Sequence, residues 1–287
     1  MTSAPNNQLE LKFNQALVCL KYEDFSGALA LLHEVVSQEP KFLRAWEELA
    51  SVIQSLGSST EAESVFARAQ EMEIRSNRFW YALAQSLQGA RAREAYRFAL
   101  QADPNDEQSL LELAWSFRTA GDKESATKLY RYLMEVYFER DDWLALNSLG
   151  DTLRRLVGSL DDAEEALRRS LEINPENFDA WKNMCYLMCS RQDLTGAQQT
   201  VRRFLQSYPN HPKRAEAWVC LGNVLRSFGD LKGSEEAVQQ ALAENPDCQA
   251  AWSKLSDICF ECGDFAGGQR ALQRANELDY NKKYDDN

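Results

Sequence analysis

Small residues recur along this chain at Ala28, Ala62, Ala92, Ala126, Ala163, Ala197, Ser234 and Gly268, separated in turn by 34, 30, 34, 37, 34, 37 and 34 residues. A recurrence of this length constrains the fold more tightly than any composition, because it marks one supersecondary unit repeated in tandem. Twelve residues after each small position stand Pro40, Ile74, Pro104, Phe138, Pro175, Pro209, Pro246 and Tyr280, so five of the eight units close on proline. Tryptophan precedes the small residue by sixteen positions at Trp46, Trp181, Trp218 and Trp252, and by twelve at Trp80. Three landmarks thus share one register.

Between the landmarks the pattern is helical. Trp218, Leu221, Gly222 and Leu225 lie at i, i+3, i+4 and i+7, one stripe of a 3.6-residue helix. Ser227-Phe-Gly-Asp230 interrupts it, a second stretch follows through Val238, Ala241 and Leu242, and Asn245-Pro246 ends that stretch, since the residue before proline is driven out of the helical region. Each unit is therefore a helical hairpin that cannot bury its apolar face alone and must stack on its neighbours. The expected architecture is all-α: an α-solenoid of eight hairpins at about 9–42, 43–76, 77–106, 107–140, 141–177, 178–214, 215–248 and 249–280, with a flexible N-terminal tail at 1–8 and a C-terminal tail at 281–287.

Segments such as Ala45-Trp-Glu-Glu-Leu-Ala50 and Ala217-Trp-Val-Cys-Leu-Gly222, each followed by a glycine-containing turn, a small residue and a closing proline, resemble the tetratricopeptide repeat. The first unit fits less closely, with Phe13, Ala16, Leu17 and Leu20 in place of the tryptophan stripe. The resemblance spans about residues 9–280 and implies a scaffold or adaptor that grips a protein or peptide segment in a concave groove lined by the first helix of each hairpin. Transferring the family's ligand-facing repeat positions gives the aromatics Tyr81, Trp115, Tyr186 and Phe260, the cations Arg44, Arg78, Arg118, Arg154, Lys182, Arg226 and Lys254, and the amides Asn147, Asn183 and Asn223. Two alternatives stay open at this point. Trp115 would instead fill the core, because Leu110 occupies its unit's usual tryptophan position, and Arg118, Arg154 and Arg226 sit where a helix C-terminus favours a cation regardless of ligand. The family's clamp for chaperone C-termini is not reproduced: starting from Lys182, its expected asparagines are Tyr186 and Cys220 and its final basic pair is Ala250 and Lys254.

Departures from the period point to special places. The third unit lacks about one helical turn around Gln88-Gly-Ala-Arg91. Three residues are added between Phe138 and Trp143, one in the turn Val157-Gly-Ser-Leu160 and three in Pro209-Asn-His-Pro-Lys-Arg214, all expected as surface loops. The last hairpin, with Phe260, Phe265, Leu272 and Leu278, is followed by no polar capping helix. Its apolar end, through Phe265, Leu272 and Leu278, is expected to self-associate, to dock a partner such as an enzyme subunit, or to continue into further chain; a secretion-type chaperone is a further alternative.

Other function classes are disfavoured. Only His33 and His211 are present, and neither pairs by motif with a nucleophile or carboxylate, so no catalytic residue is assigned. Glycine-rich phosphate or dinucleotide loops are missing, which leaves no home for a cofactor. A net charge of -12 opposes general binding to nucleic acid. No apolar run reaches the roughly 20 residues of a membrane span and Met1–Gln8 has no secretory character, so a cytoplasmic protein is expected. The seven cysteines read as reduced thiols. Cys185 and Cys189, with the Cys259-x-x-Cys262 pair, offer four sulfurs for zinc in principle, but buried packing is the preferred reading and no metal is assigned.

Overall fold

A computed structural model describes residues 4–285 and the side chains of residues 8–280. Sixteen α-helices follow one another in this range and pair as hairpins. They belong to two compact units, residues 1–133 and 134–287. The first unit holds α1 (Ala4–Lys21) with α2 (Phe25–Gln38), α3 (Leu43–Leu56) with α4 (Ser59–Glu71), α5 (Asn77–Ser86) with α6 (Gly89–Ala102), and α7 (Glu107–Thr119). The boundary falls inside α8 (Lys123–Glu139). In the second unit α9 (Trp143–Thr152) and a π-helical turn (Leu153–Val157) precede α10 (Leu160–Ile173). The remaining pairs are α11 (Phe178–Ser190) with α12 (Leu194–Ser207), α13 (Arg214–Ser227) with α14 (Leu231–Glu244), and α15 (Gln249–Glu261) with α16 (Phe265–Asp285).

The eight small residues that set the period are all buried, each on the second helix of its hairpin. Crossing helices touch there without room for larger side chains. At Gly222, which faces Ser234, an added Cβ would lie 3.0 Å from Val238 Cγ2 and 3.2 Å from the Ser234 carbonyl. The Ser234 hydroxyl donates across the same contact to the Gly222 carbonyl at 2.8 Å.

The tryptophans do more than fill space. Trp46, Trp80, Trp181 and Trp252 each donate their indole N–H to the carbonyl six residues upstream, at Pro40 (2.9 Å), Ile74 (2.6 Å), Pro175 (2.7 Å) and Pro246 (2.7 Å). Each indole thereby satisfies a carbonyl in the joint between its own hairpin and the one before. The inserted residues of the 209–214 connection break that spacing, and Trp218 donates instead to Glu244 Oε1 at 2.9 Å. Second helices start on a shared device: the carboxylates of Asp24, Asp193, Asp230 and Asp264 accept from the backbone N–H three residues on, at Gly27, Gly196, Gly233 and Gly267. Glycine suits that third position because a Cβ at Gly233 would come within 2.4 Å of Asp230 Oδ2.

Several expected boundaries move. The helix of the first hairpin already begins at Ala4, with Pro5 in the first turn where its missing N–H costs nothing, so residues 4–8 are helix rather than tail. Residues 281–285 extend α16, because Tyr280 occupies the place where proline closes other units. Residues 1–3 and 286–287 of the two expected tails lie outside the described range. Phe138 likewise replaces the closing proline, and α8 continues through it to Glu139, reaching 17 residues and leaving 140–142 as the connection to α9. The single extra residue near Val157 is not in the turn; it widens the end of the first helix into the π-helical turn Leu153–Val157. The missing turn of the third unit is present as expected: α5 has 10 residues, and Leu87 and Gln88 run extended before Gly89.

Candidate functional site

In the second unit the first helices α11, α13 and α15 lie in sequence against one another. Tyr186 on α11, Asn223, Arg226 and Ser227 on α13, and Lys254 and Glu261 on α15 surround one open cleft of about 550 Å³. Four of these six residues, Tyr186, Asn223, Arg226 and Lys254, are on the face transferred from the repeat pattern. Ser227 and Glu261 are additions. The cleft is charge-balanced: Arg226 pairs with Glu261 at 2.5 Å and Asp257 at 3.3 Å, and Lys254 reaches the same Asp257 oxygen at 3.1 Å. Hydrogen bonding to Glu261 raises the Arg226 guanidinium above its usual value and holds the Glu261 carboxyl below its own, so both stay charged. Tyr186 is half-buried under the Arg154 guanidinium, 5.7 Å from its ring centroid. Burial pushes its phenol up to about 12, leaving a neutral hydroxyl that both donates and accepts.

Other residues of the same set are held by partners of their own. Arg154 is fixed by Asp151 at 2.5 Å. Asn147 is buried and accepts from the Asn183 amide at 3.0 Å, a bond between successive first helices. Lys182 pairs with Asp179 at 2.5 Å and lies over Phe178. Phe260 sits apart from this cleft. Its ring covers Gly268, where a Cβ would come within 2.7 Å of Cε1, and it faces Phe265 at 6.3 Å, so it closes the α15–α16 crossing while staying 36% exposed. Phe265 and Leu272 are exposed and Leu278 is half-buried.

The first unit has its own opening. Where the lost turn of α5 would continue, Leu87, Gln88 and Gly89 border a cleft of about 370 Å³ with Arg93, Glu112 and Trp115. Trp115 is 52% exposed, which excludes the core alternative, and the Arg118 guanidinium lies 5.9 Å from its ring. Tyr81 contacts Tyr96 at 6.0 Å, and burial, aided by Glu112, raises both phenols. Arg44 lies over Phe13, and Arg78 pairs with Glu48 at 3.0 Å.

The cysteines group differently from the zinc alternative. Cys185 lies against Cys220 of the next hairpin, with sulfurs 3.7 Å apart, and all seven are free thiols. No described helix is long and apolar enough to cross a membrane.

Family sequence patterns described as tetratricopeptide repeat match residues 13–77, 111–178, 190–247 and 221–279, and, for a second pattern, 156–217. Residues 78–110, which hold most of the shortened hairpin, are outside these matches. No curated protein matches the sequence. Among solved structures, a chain of the Naa15/Naa10 complex bound to HypK-THB is similar at TM-score 0.54 and 17% identity, over 88% of this chain and 39% of that one. A tetratricopeptide repeat protein from Parabacteroides merdae aligns over 97% of this chain and 96% of its own at TM-score 0.46 and 14% identity. MamA aligns over 60% of this chain and 97% of its own at TM-score 0.42 and 19% identity. At these identities the likeness concerns fold alone. With its period, helical hairpins and family matches over most of its length, the chain belongs to the tetratricopeptide repeat family.

Proposed function

We propose that this chain is a non-catalytic scaffold or adaptor, and that the first-helix face of the second unit holds an extended or helical segment of a partner protein. The observation that carries this reading is the convergence of Tyr186, Asn223, Arg226 and Lys254, from three successive hairpins, on one open cleft. A neutral phenol and an amide suit peptide backbone, which needs donors and acceptors, while the paired cations and carboxylates suit a partner segment carrying both charges. A random peptide library displayed against the intact chain tests this. Selected peptides are expected to lose most of their binding to a Tyr186→Ala/Asn223→Ala variant with an unchanged circular dichroism spectrum; equal binding to that variant would remove the cleft from consideration.

A second reading has one supporting observation. Phe265 and Leu272 are exposed on α16 at 67% and 42%, which suits docking or self-association through that helix. Sedimentation of the parent and of a Phe265→Ser/Leu272→Ser variant over a range of concentrations separates the cases. Concentration-dependent association lost in the variant supports it, and a monomer throughout counts against the self-associating form.

A further inference from the structure

Three of the seven thiols converge beside the second unit's cleft. Cys185 and Cys189 are one turn apart on α11, and Cys220 on α13 approaches Cys185 with 3.7 Å between sulfurs. Cys185 and Cys220 are sealed, at 0% and 3% exposure, whereas Cys189 is half-open to solvent. The hydrogen bond from Cys185 pulls the Cys189 thiol down, burial opposes it, and the Arg154 charge adds to the pull, bringing Cys189 to about 7. The same contacts and burial push Cys185 up. The trio therefore contains one accessible sulfur that ionises, one buried sulfur a helical turn away from it, and a second buried sulfur facing that buried one across a helix pair. Thiolate character together with access is what makes a cysteine reactive.

We propose that Cys189 is a peroxide-reactive thiol whose oxidation is resolved into a disulfide between Cys185 and Cys220, tying α11 to α13. The Cys189 thiolate attacks a peroxide oxygen, the O–O bond breaks, and the leaving oxygen departs as alkoxide, or as hydroxide from hydrogen peroxide, and takes a proton from solvent, leaving sulfenic acid on Cys189. Cys185 gives up its proton and attacks that sulfur, expelling water and forming a Cys185–Cys189 disulfide. Cys220 then gives up its proton to solvent, attacks Cys185 Sγ and releases Cys189 as thiolate. Two thiols and one peroxide become one disulfide, one alcohol or water from the peroxide, and one further water. The last exchange is favoured by geometry. Cys185 and Cys189 share one rigid helix, whereas Cys185 and Cys220 face each other and need only close from 3.7 Å to about 2.0 Å. No partner protein enters this proposal, so it stands or falls separately from the binding reading.

The test uses the full chain treated with one equivalent of hydrogen peroxide and digested with trypsin without reduction. The expected product links the peptides 183–191 and 215–226, with fragmentation assigning the bridge to Cys185 and Cys220. In the parent, dimedone present during oxidation is expected to trap sulfenic acid on Cys189. Cys189→Ser is expected to slow the linkage at least about tenfold, since a buried thiol replaces the accessible one as first target. Cys262→Ser, which removes an exposed cysteine outside the cluster, should leave the rate unchanged. The proposal is overturned if peroxide modifies Cys262 or Cys259 while peptide 183–191 remains reduced. A linkage that forms equally fast in folded Cys189→Ser overturns it as well.

Discussion

The indole of Trp46 is fully buried, and its single polar atom donates to the Pro40 carbonyl. Replacing it by phenylalanine keeps most of the apolar contact with Phe79, whose ring lies 5.7 Å away, but leaves that carbonyl without its donor and opens space beside it. Trp46→Phe is expected to destabilise the first unit by about 1–3 kcal/mol, read by urea unfolding; an unchanged midpoint would mean that the recurrent indole bond carries no stability. Glu244 offers a pH test in the second unit. Burial alone would raise its carboxyl, but hydrogen bonds from Arg214 and Trp218, with the Arg214 charge, hold it below the ordinary value of 4.5. A carboxyl depressed in the folded state contributes stability that is complete above its unfolded value and lost as pH falls through the folded one. Stability should therefore decline below about pH 4.5, and Glu244→Gln should shallow that decline while lowering stability at neutral pH. Identical acid limbs for the two proteins would contradict the assignment. The period revealed the tryptophans as landmarks, but their role in satisfying a carbonyl was legible only in the constant six-residue step from Pro40 to Trp46, Pro175 to Trp181 and Pro246 to Trp252.

At the scale of elements, insertions and deletions were visible in the sequence but their placement was not. A count of residues between landmarks cannot distinguish a longer loop from a longer helix. With no proline at position 138, α8 runs on to Glu139 and only residues 140–142 connect it to α9, whereas the 209–214 insertion carries Pro209 and Pro212 and stayed a connection from Tyr208 to Lys213. The extra residue near Val157 entered the helix as a π-turn, which leaves the flanking stripe in register. Removing one residue from a regular α-helix rotates all that follows by about 100°. Deleting the exposed Arg155 should instead convert the π-turn to an α-turn and be tolerated. Near-parental thermal unfolding is expected for that deletion, while deletion of Val224 from the middle of α13 should abolish cooperative unfolding; equal damage from both would refute this origin of the π-turn. The shortened α5 was legible from Trp80 to Ala92, but the cleft beside Trp115 that accompanies it was not, because spacing along one helix does not report what the next helix leaves uncovered.

For the whole molecule, the all-helical hairpin architecture followed from the recurrence together with the helical stripes inside each unit, since units of this length have no dry face until stacked. The division at residue 133 inside α8 had no counterpart in the sequence reading. Pairings between successive hairpins were recoverable in principle. Asn147 with Asn183, Arg226 with Glu261 and Cys185 with Cys220 are separated by 36, 35 and 35 residues, about one repeat each. Aligning the chain on its own period brings these residues side by side. What the period does not supply is the counter-charge, since Asp257 and Glu261 read as ordinary solvated carboxylates until Arg226 is placed between them. The most direct measurement places a photo-crosslinking amino acid at position 223, within the cleft, or at exposed position 239 on α14, and irradiates each protein with a peptide selected on the intact chain. A peptide adduct from position 223 and none from 239 is expected; an adduct from 239 alone, or from neither, would contradict a binding face built on α11, α13 and α15.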